Sequence, residues 1–294
     1  RARVRHLAIP PAWEDVRIAP DPLAHIQACG VDASGRLQYL YHPEWEVRRT
    51  RRKQRNLAAL AAVLPGLRRR VRRDLEAEAG EKALAIAIAV ALIDGTAMRV
   101  GRERYLASNG TRGAGTLFTR DVAVRGEVIH IRFPAKSGKA AAYVLKDARL
   151  AAAIGRVKTV PGERLLMYRD AAGAARALRT DEINAYLREV TGVPVTAKDF
   201  RTLHASALAG EALAQLEPGA SAAARRRQVA EVIRKVAAFL QNTPAICRKS
   251  YVAPLLLARF DKGTLAAAWN AVTARQDGLR RREIQLGALL LAGG

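Results

Sequence analysis

The sequence contains little cysteine and no long apolar run, and these two shortages exclude several classes of protein. Its only cysteines, Cys29 and Cys247, are far apart and have no paired histidines nearby, which argues against a zinc site or a disulfide framework. The apolar run Ala83–Ile93 is much shorter than the roughly 20 residues that a membrane-spanning helix requires, and no signal-peptide pattern precedes it. We therefore expect a cytoplasmic protein without a membrane partner, in which this run forms a buried helix. Because the chain begins at Arg1 instead of Met, we also expect a fragment or a processed product.

Acidic residues are scarce relative to basic ones. The chain has 27 Asp and Glu against 50 Lys and Arg, which leaves a formal net charge of +23. Like charges repel one another in a compact chain, so folding alone does not favour such an excess. A polyanionic partner is the simplest explanation, and we expect nucleic acid, although a membrane surface, a ribosome-bound role or genomic bias would also raise the charge.

Turn residues mark the N-terminal part of the chain. Proline and glycine recur from Ile9 to Trp45, and the short segments His25–Cys29 and Leu37–Tyr41 between them predict strands joined by turns. A dense basic stretch, Arg48–Arg55, then leads into a helical pattern. We place a domain boundary at this stretch, because the pattern changes there from strands to helices.

Helical periodicity dominates the rest of the chain, with one exception. Alternating apolar residues from Val122 to Phe133, interrupted by Gly126, predict a β-hairpin, followed by the polar loop Pro134–Lys139 and a third strand at Ala141–Val144. Further helices are predicted at Asp181–Val190, Ala197–Leu216, Ala222–Leu240 and Leu265–Ala274. The sequence thus predicts an α+β fold: a small strand-rich N-terminal domain over residues 1–50, then a mainly α-helical catalytic domain with a small sheet over residues 51–294.

Phosphoryl transfer is one chemistry that a basic chain of this kind could perform. Moving a phosphodiester from one oxygen to another builds negative charge on the phosphorus oxygens, so a metal-free site needs fixed cations around them. Arginine suits this task because its planar guanidinium bonds two oxygens at once. A nucleophile must attack in line, and a proton donor must neutralise the departing sugar oxygen.

A candidate nucleophile follows a predicted helix start at Asn242-Thr243-Pro244. Thr243 is expected to cap this helix, with Pro244 at its first position. If the helix continues to Tyr251, the phenol leans back toward Asn242, and a phosphate fits between them beside a helix end that favours anions. Taken alone, the two residues are more often explained by an ordinary helix cap and a half-buried helix tyrosine.

Three basic residues complete the candidate set. Arg201 lies in the early turns of a helix that a capping box at Thr196–Asp199 begins, Arg99 follows the buried run, and Lys136 lies in the polar loop. Considered singly, each is also explained as a solvated surface charge.

The sequence offers no nucleotide-binding loop. Gly138-Lys139 resembles part of one, but Phe133 stands where the first glycine is required and Ala140 where Ser or Thr is required. We therefore expect neither ATP nor any other cofactor, and no metal ion.

The order and spacing of these residues resemble those of type IB DNA topoisomerases of the bacterial and poxvirus kind. The matching segments are Ala97–Tyr105, Ala135–Lys139, Lys198–Arg201 and Asn242–Tyr251, with Ile9–Trp13 and Gly35–Pro43 in the N-terminal part. The resemblance covers most of the chain and is weakest near the C-terminal end. It implies an isomerase that relaxes supercoiled duplex DNA through transient cleavage and religation of one strand.

The same resemblance implies a role for each candidate. Tyr251 is then the nucleophile that takes the 3′ phosphate and releases a 5′ hydroxyl, and Arg99 and Arg201 hold the phosphate oxygens. Lys136 is the general acid on the 5′ oxygen. Asn242, where many relatives have histidine, donates a hydrogen bond to a nonbridging oxygen. Because the phosphotyrosine linkage is itself a diester, religation needs neither ATP nor metal.

DNA contacts are also implied outside the catalytic set. Gln38, Tyr39 and Tyr41 match a strand of the small domain that contacts DNA, and we expect further DNA contacts from Lys139 and His204. The resemblance further implies that the two domains close around duplex DNA as a monomeric clamp at the nucleoid.

The chain departs from the family pattern at two places, and two other functions compete with the resemblance. Relatives usually have a Tyr-Gly-Leu-Thr-Thr-Leu-like stretch where this chain has Arg112–Leu117, and Ala135 stands where glycine commonly precedes the lysine.

A tyrosine recombinase, the nearest alternative, typically has histidine at the position of Lys198 and a helical N-terminal domain. A non-catalytic DNA-binding protein is the other alternative.

Overall fold

A computed structural model of the chain describes residues 2–135, 140–273, 275–276 and 278–292. Its internal contacts group the chain into two compact units, Arg1–Arg55 and Asn56–Gly294. Within the part that the structure describes, no helix is both long enough and apolar enough to cross a membrane.

The first unit is built on a three-stranded antiparallel sheet. Helix α1 (Ala2–His6) precedes strands β1 (Glu14–Ile18), β2 (Ile26–Val31) and β3 (Leu37–Tyr41), which pair in the order β1-β2-β3. The turn between β2 and β3 forms because the carboxylate of Asp32 accepts hydrogen bonds from the backbone N–H groups of Ser34 and Arg36. Gly35 supplies the left-handed conformation, with φ of +69°, that this turn requires. Both strands predicted for this part of the chain are therefore confirmed.

A long helix, α2 (Pro43–Asp74), carries the basic stretch. Its buried residues Leu57, Leu60, Leu64, Leu67 and Val71 are three or four positions apart and form one apolar stripe. The helix begins earlier than the sequence predicts, because Pro43 occupies its first position, where a missing N–H costs nothing.

The second unit is mainly helical. After α2 its helices are α3 (Lys82–Thr96), α4 (Glu103–Asn109), α5 (Ala148–Val157), α6 (Thr180–Thr191), α7 (Ala197–Ala214), α8 (Ala222–Phe239), α9 (Pro244–Ser250), α10 (Pro254–Asp261), α11 (Leu265–Asn270) and α12 (Arg281–Leu291). The predicted buried helix is confirmed in α3, which is apolar around most of its circumference. The helix predicted at Leu265–Ala274 is found over Leu265–Asn270, and Ala274 lies outside the described residues. Near the helix end the carbonyl of Trp269 accepts hydrogen bonds from the side chain of Gln285 and from the backbone N–H of Val272.

A small antiparallel sheet interrupts the helices where the sequence predicts it. Strands β4 (Val122–Arg125), β5 (Val128–Pro134) and β6 (Ala140–Lys146) pair in that order. Ile129, Ile131 and Phe133 on β5 are buried, while the residues between them are exposed. A second hairpin pairs β7 (Met167–Arg169) with β8 (Ala175–Ala177). The α+β fold class is thus confirmed.

Candidate active site

The side chain of Arg201 lies inside the second unit. Thr196 and Asp199 begin α7, since the Asp199 carboxylate accepts the backbone N–H of Thr196 at 2.8 Å, and this places Arg201 in the second turn. Arg201 is only 2% exposed. Its guanidinium donates hydrogen bonds to the carbonyls of Ala97, at the end of α3, and of Leu240, at the end of α8. One arginine therefore joins three helices.

The two carbonyls that Arg201 binds lie in unusual stretches of backbone. Ala97 itself has φ of 53°, and Gln241, which follows Leu240, has φ of 50°. Left-handed conformations of residues other than glycine cost free energy and persist where surrounding contacts enforce them. The Gln241 side chain provides one such contact, because its amide donates to the carbonyl of Ala142 on β6 at 3.1 Å.

Arg201 and Arg99 have no ion-pair partner among the described residues. Burial lowers the pKa of Arg201 from its ordinary value, and the charge of Arg99 lowers it further. A buried cation without a counter-ion is costly, so proteins usually pair it. The buried guanidinium of Arg201, with the partly exposed Arg99 close enough to act on its pKa, is therefore suited to binding an anion.

Tyr251 lies against the guanidinium of Arg201. Thr243 caps α9, its hydroxyl accepting the backbone N–H of Ile246, and Pro244 takes the first helical position, so the predicted helix start is confirmed. The helix ends one residue before Tyr251. The tyrosine ring is half-buried, and its centroid lies 5.1 Å from the guanidinium carbon of Arg201.

The side-chain amide oxygen of Asn242 already accepts a hydrogen bond within the protein. Its side-chain oxygen accepts the backbone N–H of Thr243 at 3.0 Å, while its own backbone N–H donates to Ala237. Among the described residues the NH₂ group of Asn242 has no hydrogen-bond partner, so it can donate to an anion.

The backbone around Arg99 is held by the segment that departs from the family pattern. The carbonyl of Arg99 accepts the N–H of Ala114 at 2.9 Å, and a Cβ atom on Gly113 would lie under 3.0 Å from the backbone of Arg99 and Gly101. Arg112 anchors this segment, because its guanidinium pairs with Asp121 and its backbone N–H donates to Pro134 on β5. The glycine is therefore required by close approach of two backbone segments.

A second tyrosine, Tyr143 on β6, is not among the residues that the sequence analysis predicts for the site. Burial raises its pKa, and the charges of Arg201 and Arg99 oppose that rise, which places the phenol within electrostatic reach of both. Its ring stacks on Phe133 with centroids 6.1 Å apart. The alternation of the predicted third strand, counted from the buried Ala141, is the signal that could have found it.

Two predicted residues, Lys136 and Lys139, lie outside the described residues. Strands β5 and β6, which flank them, pair as far as Pro134 and Ala140.

His204, which we expect to contact DNA, is buried in the second unit. The side chain is 2% exposed, and its Nε2 lies 3.2 Å from a carboxylate oxygen of Asp94. Arg68 binds the same carboxylate and also that of Glu283, which is fully buried. Burial alone would raise the pKa of Asp94, but hydrogen bonds from His204 and Arg68 lower it well below its ordinary value. This buried network ties α2, α3, α7 and α12 together.

The three residues predicted to contact DNA in the first unit lie on both faces of β3. Tyr39 and Tyr41 share one face, with ring centroids 6.1 Å apart, and Tyr39 is exposed. Gln38 is on the opposite face by strand alternation and donates to the carboxylate of Asp32 at 2.7 Å. Among the residues described in either unit, no His, Cys, Asp and Glu side chains group in a way that could hold a metal ion.

Comparison with known proteins relates the chain to DNA topoisomerases. Residues 43–264 match the family model described as eukaryotic DNA topoisomerase I, catalytic core. Residues 1–32 match the model of the bacterial DNA topoisomerase IB N-terminal domain. The chain is also 30% identical over 257 residues to a DNA topoisomerase 1B of Acanthamoeba polyphaga mimivirus, an alignment that covers 85% of this chain and 76% of that protein.

Proposed function

The chain belongs to the type IB DNA topoisomerases, and from this premise we propose that it relaxes supercoiled duplex DNA through a covalent 3′-phosphotyrosyl intermediate on Tyr251. One observation carries the assignment of the site. The buried guanidinium of Arg201 has no carboxylate partner among the described residues and lies over the Tyr251 ring, with Arg99 as its charged neighbour.

In the proposed cleavage step, the phenol oxygen of Tyr251 attacks the phosphorus and loses its proton to solvent water. The bond from phosphorus to the 5′ oxygen breaks, and Lys136 gives a proton to that oxygen, so a 5′ hydroxyl leaves. Arg99 and Arg201 bind the nonbridging oxygens, where charge increases most in the transition state, and the amide of Asn242 donates to one of them.

Religation is the reverse of this step. The 5′ hydroxyl attacks the phosphotyrosine, Lys136 takes back its proton, and Tyr251 leaves as a phenolate that regains its proton from solvent water. One diester replaces another in each direction, so the free energy of the linkage is roughly conserved and no ATP is consumed. Between the two steps the nicked strand swivels, and the supercoiling strain of the DNA drives net relaxation.

The first unit is proposed to close over duplex DNA as part of a monomeric clamp. Tyr39 and Tyr41 would contact DNA from one face of β3 and Gln38 from its other face, and Lys139 would contact the strand near the cleavage site. A clamp that neutralises roughly six to ten phosphates should lose about 10³ to 10⁵ in affinity between roughly 50 and 200 mM salt. A flat salt response would contradict it.

Relaxation of a supercoiled plasmid tests the proposal. The purified protein should relax the plasmid with EDTA present and ATP absent, and Tyr251→Phe should abolish relaxation. The matched control is Tyr168→Phe, which removes a phenol that donates a hydrogen bond to Glu182. This variant should relax the plasmid at the wild-type rate. Relaxation by Tyr251→Phe would overturn the assignment. Binding without any covalent adduct would favour a non-catalytic protein, and a strand-exchange product would favour a recombinase.

A further inference from the structure

The backbone that carries the proposed nucleophile lies outside regular secondary structure. Helix α9 ends at Ser250, and Tyr251 has φ of −126° and ψ of −17°. Helix α10 does not begin until Pro254. Within α9 the N–H of Tyr251 still donates to the carbonyl of Cys247 at 2.9 Å. The carbonyl of Tyr251 and the groups that follow it therefore need hydrogen-bond partners from elsewhere.

One side chain, Ser206, supplies these partners. Its hydroxyl donates to the carbonyl of Tyr251 at 3.0 Å and accepts the backbone N–H of Ala253, also at 3.0 Å. A hydroxyl has one proton to donate and two lone pairs to accept with, so Ser206 uses both capacities on the two sides of this turn. Ser206 is fully buried, and water therefore does not compete for these bonds.

Ser206 and Arg201 lie on the same helix. The two residues are five positions apart on α7, which is a separation of about 7.5 Å along the helix axis. Arg201 is fixed at its own end by the carbonyls of Ala97 and Leu240. The distance between the tyrosine backbone and the guanidinium is therefore set by one rigid element.

We propose that Ser206 is a positioning residue, which holds the phenol of Tyr251 in line with the phosphate that Arg201 binds. The inference rests on the proposed function, since it assigns a task within that same site. Misplacement of reacting atoms by about 1 Å costs on the order of 10² in rate. We expect Ser206→Ala to slow strand cleavage by about 10-fold to 100-fold while DNA affinity stays within about twofold of wild type.

Single-turnover cleavage of a duplex oligonucleotide, with enzyme in excess and well below the unfolding midpoint, tests this proposal. The variants are Ser206→Ala, Ser206→Cys and Ser221→Ala. Ser206→Cys keeps a weak donor and acceptor of similar size, so its rate should lie between those of wild type and Ser206→Ala. Ser221 is the matched control, because its hydroxyl accepts the N–H of Ala224 at the start of α8 and its loss also removes one hydrogen bond. Ser221→Ala should cleave at the wild-type rate.

Religation of the covalent complex provides a second readout. Cleavage and religation share one transition state, so a misaligned nucleophile slows both by the same factor and leaves the equilibrium fraction of covalent complex unchanged. The inference would be overturned if Ser206→Ala cleaved at the wild-type rate, or if weaker DNA binding explained its lower rate. It would also be overturned if Ser221→Ala lost as much cleavage rate as Ser206→Ala. None of these results affects the proposed function, which fails only if the wild-type protein forms no covalent adduct.

Discussion

Replacing Arg201 with methionine should remove most of the cleavage activity while changing the stability of the fold little. The guanidinium donates to two backbone carbonyls, and hydrogen bonds of charged groups contribute about 1.5–3 kcal/mol each. Their loss would destabilise the fold by about 3–6 kcal/mol. Against this, a buried cation without a partner costs several kcal/mol, and methionine fills similar space without a charge. We expect a net change within about 2 kcal/mol of zero.

The effect on catalysis should be much larger. Removing one donor to a developing oxyanion costs about 10² to 10³ in rate. Anion binding gives an independent measure, because sulfate bound only by the folded state stabilises it by about 1.4 kcal/mol at ten times its Kd. Thermal unfolding with and without sulfate should therefore show a rise in Tm of a few degrees that Arg201→Met reduces.

The matched control is Arg248→Met, which removes an exposed arginine from α9 and should keep the wild-type cleavage rate and its sulfate response. A destabilisation of Arg201→Met by more than about 4 kcal/mol would refute the reasoning, since that is the cost of breaking a compensated buried ion pair. Wild-type cleavage by Arg201→Met would refute it equally.

Three further predictions follow from the geometry of the site and its support. Asn242→Asp should cleave more slowly than Asn242→Ala in single-turnover assays, because a carboxylate of the same shape repels the phosphate; the reverse order would exclude donation by the amide. Gly113→Ala should lower the free energy of unfolding by about 1–3 kcal/mol and reduce cleavage, because the added Cβ would press on the backbone of Arg99. The control Gly155→Ala, whose Cβ would have no atom within 4 Å, should be neutral or slightly stabilising in thermal unfolding. Asp94 and Glu283 both have lowered pKa values in the folded state, so their stabilisation is present above their ordinary values of 3.8 and 4.5 and is lost as the pH falls. The double variant Asp94→Asn/Glu283→Gln should therefore lose less stability between pH values of about 6 and 3 than wild type does, and an equal loss would contradict this origin of the acid sensitivity.

The elements that frame the site follow from local sequence signals. Thr243 and Pro244 specify a helix start within three residues, and the alternation around Gly126 specifies a hairpin, because both patterns act through neighbouring residues. Each is found where the sequence predicts it.

The environment of the charged residues could not be predicted in the same way. An arginine near the start of an amphipathic helix usually faces solvent, and Arg201 is buried only because the ends of α3 and α8 meet it. His204 is three positions further along α7, and it is enclosed by carboxylates of Asp94 and Glu283, which are distant in sequence. Tyr143 likewise acquires its charged neighbours from two distant parts of the chain, the segment between α3 and α4 and helix α7. These features depend on tertiary packing, which no local pattern encodes.

The chemical identity of the covalent linkage tests the central claim most directly. The protein would be denatured during cleavage of a labelled duplex, digested with a protease, and the peptide that carries the nucleotide sequenced by mass spectrometry. We predict a nucleotide joined through its 3′ phosphate to Tyr251. Three results would contradict the account. One is linkage to Tyr143, whose phenol is also near the arginines. The others are attachment through a 5′ phosphate and the absence of any adduct.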